Sequence, residues 1–187
     1  MTRITVSLFS IGLMLAGSQA FAAGTTPPAT TTPTVSPLQL KCAKGEVVKT
    51  IHKKGQKDTK KCVKAVSGIL PDNELYLQGR LLAKQGQYDW ALTVLAAVQD
   101  QNNPDVLNYM GYSNRKAGRL DIAITYYQKA LDINPNFVLA REYLGEGFVA
   151  AGKLDLAKAQ LFEIGKRAGE QSEEYVDLAK AIGAAAI

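Results

Sequence analysis

Histidine is almost absent from this 187-residue chain, with His52 standing alone. There are two cysteines, one tryptophan and three methionines. So few imidazoles and thiols cannot build a His/Cys metal site of ordinary composition, and histidine-based catalysis would have to rest on His52. Large aromatics are sparse at 7% of residues. No nucleophile–base–orienter set, metal-ligand motif or phosphate-binding glycine loop can be read anywhere, so no enzyme activity and no cofactor is expected. Long apolar runs are missing beyond the first two dozen residues, which leaves no second segment able to span a membrane.

The one apolar run, Ile4 to Ala16, follows Arg3 and precedes Ala20-Phe21-Ala22. A positive start, a short apolar stretch and a small-x-small site form a secretory signal, with cleavage expected after Ala22. The run falls short of the ~20 residues of a spanning helix. Leu15-Ala16-Gly17 is followed by Ser18 rather than cysteine, so no lipid anchor is expected. The expected domains begin with a signal peptide over residues 1–22. Residues 23–40 follow as a linker rich in Thr and Pro, with little to bury and a bias to extended conformations. The mature chain is expected to be periplasmic or secreted.

Positive charge is concentrated. The whole chain carries 22 Lys+Arg against 17 Asp+Glu, a net +5. Residues 41–64, KCAKGEVVKTIHKKGQKDTKKCVK, hold nine lysines against Glu46 and Asp58, a net of 9 − 2 = +7. Residues 71–187 hold 12 basic and 15 acidic groups, or −3. Val47, Val48 and Ile51 favour a strand, Lys53 to Gln56 a turn, and Thr59 to Val63 a returning strand. Cys42 and Cys62 bracket this hairpin (domain 41–66) and are expected to pair in an exported chain. Closing such a loop is worth roughly 3 kcal/mol on the chain-entropy model, and a lone hairpin needs that help. Zinc is disfavoured because Cys42, His52 and Cys62 match no ligand spacing and lack a fourth ligand. A redox pair is disfavoured because the spacing is not Cys-x-x-Cys. Two readings of the lysines stay open. They form a solvated surface, or Lys53, Lys54, Lys57, Lys60 and Lys61 grip an anionic envelope component. No aromatic lies among them, so stacking on single-stranded nucleic acid is not expected.

From residue 72 the chain repeats. Gly79, Gly111 and Gly145 correspond, then Gly86, Gly118 and Gly152, then Ala91, Ala123 and Ala157, at offsets of 32 and 34 residues. Each unit reads as two amphipathic helices around a glycine turn. Small residues at the crossing let the helices approach, and the later glycines suit left-handed helix ends. Asp89, Asp121 and Asp155 fall near the start of each second helix, where they suit the dipole and can cap free N–H groups. Residues 172–183 form a closing helix, with Ser172 as cap and Tyr175, Leu178 and Ile182 as its apolar face. Residues 183–187 are expected to fray.

These residues resemble the tetratricopeptide repeat (TPR). The second unit carries the likeness best, with Leu107-Asn108-Tyr109-Met110-Gly111, Gly118, Ala123 to Leu131 and Asn134-Pro135. The layout is also similar to small exported bacterial TPR proteins with a Cys-x-x-Gly-x-Val…Lys-Cys-Val hairpin and a terminal Glu-Tyr helix. Ala168 and Ser172 stand where that group would have a further cysteine pair. The resemblance implies an all-α fold: a right-handed α-solenoid of three TPR helix pairs with a C-terminal capping helix (domain 72–187), preceded by the small β-hairpin. It places Asn73, Tyr76, Arg80, Ala83 and Lys84 on the concave face, then Asp105, Asn108, Tyr112, Arg115 and Lys116. From the third unit come Leu139, Glu142, Glu146, Val149 and Ala150. Tyr76 and Arg80 replace the Lys and Asn of the family's carboxylate clamp. The expected function is a non-enzymatic periplasmic scaffold that binds a peptide or protein segment in this groove. Its alternative is an envelope-tethering module working through the basic hairpin.

Overall fold

A computed structural model describes residues 41–185. The expected signal peptide and linker lie outside the described residues. Strands β1 (Glu46–Ile51) and β2 (Thr59–Lys64) pair antiparallel, with Val47 opposite Val63, Val48 opposite Cys62 and Lys49 opposite Lys61. The turn closes where Gln56 N–H donates to the Lys53 carbonyl at 3.0 Å, and Gly55 takes a φ of 77° there. Cys42 and Cys62 are joined in a disulfide, with Cα atoms 5.4 Å apart.

The hairpin does not depend on that staple alone. Val47 is 2% exposed and packs into the core around Leu75, Val94 and Val106. The Gln78 side-chain amide accepts from Val48 N–H and donates to Val48 C=O, both at 2.8 Å, which satisfies the free edge of β1. Trp90 Nε1 donates to the Glu46 carbonyl at 2.9 Å. The ribbon is thereby fixed to the first helix pair.

Three helix pairs follow: α1 (Asp72–Lys84) with α2 (Tyr88–Leu95), α3 (Pro104–Lys116) with α4 (Leu120–Ile133), and α5 (Val138–Ala150) with α6 (Leu154–Ala168). The closing helix is α7 (Glu173–Ala185). Gly86, Gly118 and Gly152 terminate α1, α3 and α5 with φ of 80°, 81° and 71°, where an L side chain would be strained. Asn103 caps α3 by accepting from Asp105 N–H at 2.9 Å, with Pro104 in the first turn. Ser172 Oγ accepts from Tyr175 N–H at 3.2 Å at the start of α7. Asp89, Asp121 and Asp155 sit in their helices' first turns, but α2, α4 and α6 have no side-chain cap bond. These acids face the helix dipole without capping it, and Asp89 also pairs with Arg119 at 3.1 Å and Asp155 with Lys158 at 3.8 Å.

Close helix crossings explain the repeated glycines. A Cβ on Gly79 would lie 2.7 Å from Leu95, and one on Gly111 would lie 2.6 Å from the Tyr127 ring. At Gly145 an added Cβ would run into Leu178 of α7 rather than a residue of α6. The closing helix presses directly onto α5. It also stays helical through Ala185, past the expected fraying point. The second helix of unit one ends early, at Leu95, and Gln101 Nε2 bonds the Leu95 and Val98 carbonyls at 3.1 and 2.6 Å. Val98 remains in the core although it lies outside the helix. Asp72 ties the same loop to α1 by accepting from Gln99 and Asp100 N–H at 2.9 and 3.0 Å. The stack is thus closed by a ribbon on unit one and by a helix on unit three, as a solenoid's apolar ends require.

Candidate functional site

The first helices of the pairs place their wide side chains in a connected series. Tyr76 meets Tyr109 edge-on at 5.9 Å, Tyr109 meets Tyr112 at 5.9 Å, and Tyr112 meets Tyr143 at 5.3 Å. Four cations lie along them. Arg80 Nε donates to Tyr109 OH at 2.9 Å. Lys84 Nζ donates to Tyr143 OH at 2.9 Å and sits 4.6 Å from the Tyr112 ring centre. Arg115 stands 5.7 Å from the Tyr112 ring and 5.5 Å from the Tyr143 ring, and Lys116 5.8 Å from Tyr112. Such contacts hold cations against π-faces while leaving spare N–H donors for a partner.

This wall opens on a cavity of about 290 Å³. Lys84, Tyr112, Arg115 and Lys116 line one side, and Leu139, Glu142, Tyr143 and Glu146 of α5 line the next. Glu173, Glu174 and Asp177 of α7 close it. Of the residues expected on the concave face, the cavity gathers Lys84, Tyr112, Arg115, Lys116, Leu139, Glu142 and Glu146. Tyr76 and Arg80 extend the same wall along α1 through Tyr109. Asn73 and Asp105 are exposed at the starts of α1 and α3, away from the cavity lining. Asn108 departs from expectation. It is fully buried, and neither its amide nitrogen nor its oxygen has a partner among the described residues, so it is closed to a peptide backbone. Ala83 is buried as well, and Val149 and Ala150 do not reach the cavity.

Arg115 is more structural than its position suggested. Its side chain is 9% exposed, pairs with Glu146 and donates through Nε to Tyr127 OH at 3.3 Å. Burial pulls its pKa down, but the Tyr127 phenol and Glu146 outweigh this and the net shift is upward. Burial also pushes the Tyr143 phenol up, so it stays a neutral hydrogen-bonding group. Glu142 is the outlier: burial, then the like charges of Glu146, Asp177 and Glu174, raise its carboxyl from 4.5 to about 8.

Sequence reasoning missed Tyr109, Tyr143 and the three acids of α7. The tyrosines occupy core positions of the repeat, and only their hydroxyls reach the polar wall. The acids had a readable signal, since Ser172 follows Val138 by 34 residues, one more repeat length. The closing helix thus takes the place of a fourth first helix and lines the groove as well as sealing the core.

The hairpin lysines present a different surface. Lys53, Lys54, Lys57, Lys60 and Lys61 are exposed and pair with no acid among the described residues. His52 pairs with Asp58 at 2.9 Å on the same exposed ribbon. A cleft of about 590 Å³ between the hairpin and the start of α1 is lined by Lys49, His52, Leu70, Asp72 and Glu74 among others. Asp72 is already committed to the loop amides there, so the larger opening offers fewer free groups than the groove.

Residues 104–137, which are α3, α4 and the turn after them, match the family model of the tetratricopeptide repeat. The second unit is a tetratricopeptide repeat. Solved structures extend the likeness to about two thirds of the chain. The first TPR domain of Spaghetti (RPAP3), bound to the HSP90 peptide SRMEEVD, is 22% identical with a TM-score of 0.55, covering 66% of this chain and 98% of that one. The Yersinia enterocolitica type III secretion chaperone SycD, in complex with a peptide of the translocator YopD, is 20% identical with a TM-score of 0.53, covering 64% and 93%. The Sgt2 TPR domain from Aspergillus fumigatus is 15% identical with a TM-score of 0.55, covering 64% and 82%. At these identities the likeness is one of fold. No curated protein gives a significant match.

Proposed function

We propose that this TPR protein is a non-enzymatic scaffold of the periplasm that takes a peptide or protein segment in its groove. The observation that carries this reading is the cavity where Lys84, Tyr112 and Lys116 meet α5 and α7. Tyrosine and basic residues with half-buried rings and spare donors are the chemistry of binding hot spots. An acidic stretch of the partner fits the wall from Tyr76 and Arg80 to Lys116. TPR domains of the same fold hold peptides, including the acidic HSP90 segment in the Spaghetti complex and the YopD peptide on SycD.

A second reading rests on the five unpaired hairpin lysines: the ribbon grips an anionic envelope component and the repeats act as a spacer. Lysines held on a rigid, stapled ribbon concentrate positive field at one end of the folded unit.

Crosslinking in intact cells, followed by identification of what is attached, tests both. Replacing Tyr76, Tyr112 and Lys116 by Ala is expected to remove protein adducts and leave association with anionic material intact. Charge reversal at Lys53, Lys54, Lys57, Lys60 and Lys61 does the opposite if tethering is the function. Unchanged adducts in the first variant refute the groove. Arg115 is left in place because its contacts with Glu146 and Tyr127 support the fold.

A further inference from the structure

We infer that the α5–α7 end of the groove is a subsite for a cationic side chain, lysine or arginine, carried by the bound segment. The inference rests on the reading that the groove takes a peptide. Glu142 is 6% exposed, lines the cavity, and makes no hydrogen bond or ion pair among the described residues. A carboxylate in that position lacks a counter-charge that burial ordinarily demands. Arg115, the guanidinium beside it, is committed to Glu146 and Tyr127. The other charged groups around the cavity are Glu173, Glu174 and Asp177 of α7, Lys116 of α3 and Lys84 of α1, with the Tyr143 phenol beside Glu142 on α5. Lys84 is held by the Tyr143 hydroxyl. The α7 side is therefore uniformly acidic, with one buried carboxyl at its floor.

A bare metal ion does not fit this site. Among the described residues, the only potential ligand atoms that converge closely enough are those of Cys42, Glu46 and Cys62, where the cysteines form the disulfide. The groove carboxylates are spread around a cavity of about 290 Å³, a space suited to an extended organic cation. Leu139, Tyr112 and Tyr143 provide apolar and π surface for the aliphatic stem of such a side chain. The bound segment would thus be bipolar, acidic along α1 and α3 and basic where it meets α5 and α7.

Proton linkage supplies an independent signature. Glu142 is half-protonated at about pH 8 in the empty groove and must ionise to face a cation. The α7 acids Glu173, Glu174 and Asp177 are exposed or half-exposed. Affinity for a cation-bearing peptide should therefore rise roughly tenfold per pH unit up to about 8.

The test is selection of random dodecapeptides displayed on phage against the immobilised full chain. The same selection is run on Glu142→Gln and on a Tyr112→Ala, Lys116→Ala double variant, with thermal unfolding confirming that each is folded. The expected result is wild-type binders that combine Asp or Glu with a Lys or Arg at fixed spacing, the basic residue being lost in Glu142→Gln selections. Fluorescence anisotropy of one selected peptide should show tightening from pH 6 to 8 on the wild type, a flat profile on Glu142→Gln, and at least tenfold weakening when its Lys becomes Gln. Binders that are acidic alone, or a profile insensitive to Glu142, overturn the cation subsite and leave groove binding standing. Selections indistinguishable from those of the double variant overturn both.

Discussion

Glu142→Gln should stabilise the empty protein, increasingly so as the pH rises above 4.5. The folded carboxyl titrates near 8 rather than 4.5, because burial and the charges of Glu146, Asp177 and Glu174 oppose its ionisation. In the unfolded chain it is released to its ordinary value. Below pH 4.5 both states hold the proton and the residue contributes no penalty. Between 4.5 and 8 the folded state binds a proton that the unfolded state has lost, so stability falls as pH rises. Above 8 the penalty is complete. At ~1.4 kcal/mol per pH unit, the displacement corresponds to about 5 kcal/mol at full effect. Water entering the open groove screens the carboxylate and narrows the displacement and the penalty together, so a penalty of at least about 2 kcal/mol is expected. Glutamine keeps the shape and never ionises. Urea unfolding of both proteins at pH 4 and pH 8 measures this. The variant should match the wild type closely at pH 4 and exceed it by at least about 2 kcal/mol at pH 8, and taking the difference removes every other titrating group. Parallel stabilities at both pH values would refute the assignment of Glu142 as a buried carboxyl without a partner.

Further perturbations probe the scaffold. Replacing Cys42 and Cys62 by Ser should lower stability by up to about 3 kcal/mol in urea unfolding, with the remaining ribbon contacts seen as protected amides of β1. Gln78→Ala exposes the Val48 edge and should cost about 1–2 kcal/mol by the same assay. Gly111→Ala drives a Cβ into the Tyr127 ring, and overpacking of about 1–3 kcal/mol should outweigh the ~1 kcal/mol gain in helix propensity, giving a lower midpoint of thermal unfolding.

The fold was legible because its constraints are local and periodic. Gly86, Gly118 and Gly152 turn the chain at intervals of 32 and 34 residues, and Gly79 and Gly111 each demand a close neighbour on the following helix. Hairpin strands and disulfide followed from alternation and cysteine count. Docking of the ribbon was not legible, since nothing in the pattern links Gln78 or Trp90 to backbone groups near residue 47. The groove was legible where repeat position alone decides it, as at Lys84, Tyr112 and Lys116. It failed at Asn108, where packing between neighbouring helices hides a polar side chain that repeat position would expose. It failed also at Tyr109 and Tyr143, whose rings are core and whose hydroxyls are wall. The acidic end needed the closing helix to press onto α5, a contact made by Leu178 at Gly145 and visible only in three dimensions.

The central claim is that the concave face, and no other surface of the repeats, receives the partner. A photo-crosslinking amino acid placed at Lys116 in the groove, and separately at exposed Lys129 on α4, tests it in living cells. A discrete protein adduct from position 116 and none from position 129 is the predicted result. Adducts from position 129 alone, or equal adducts from both, would contradict it.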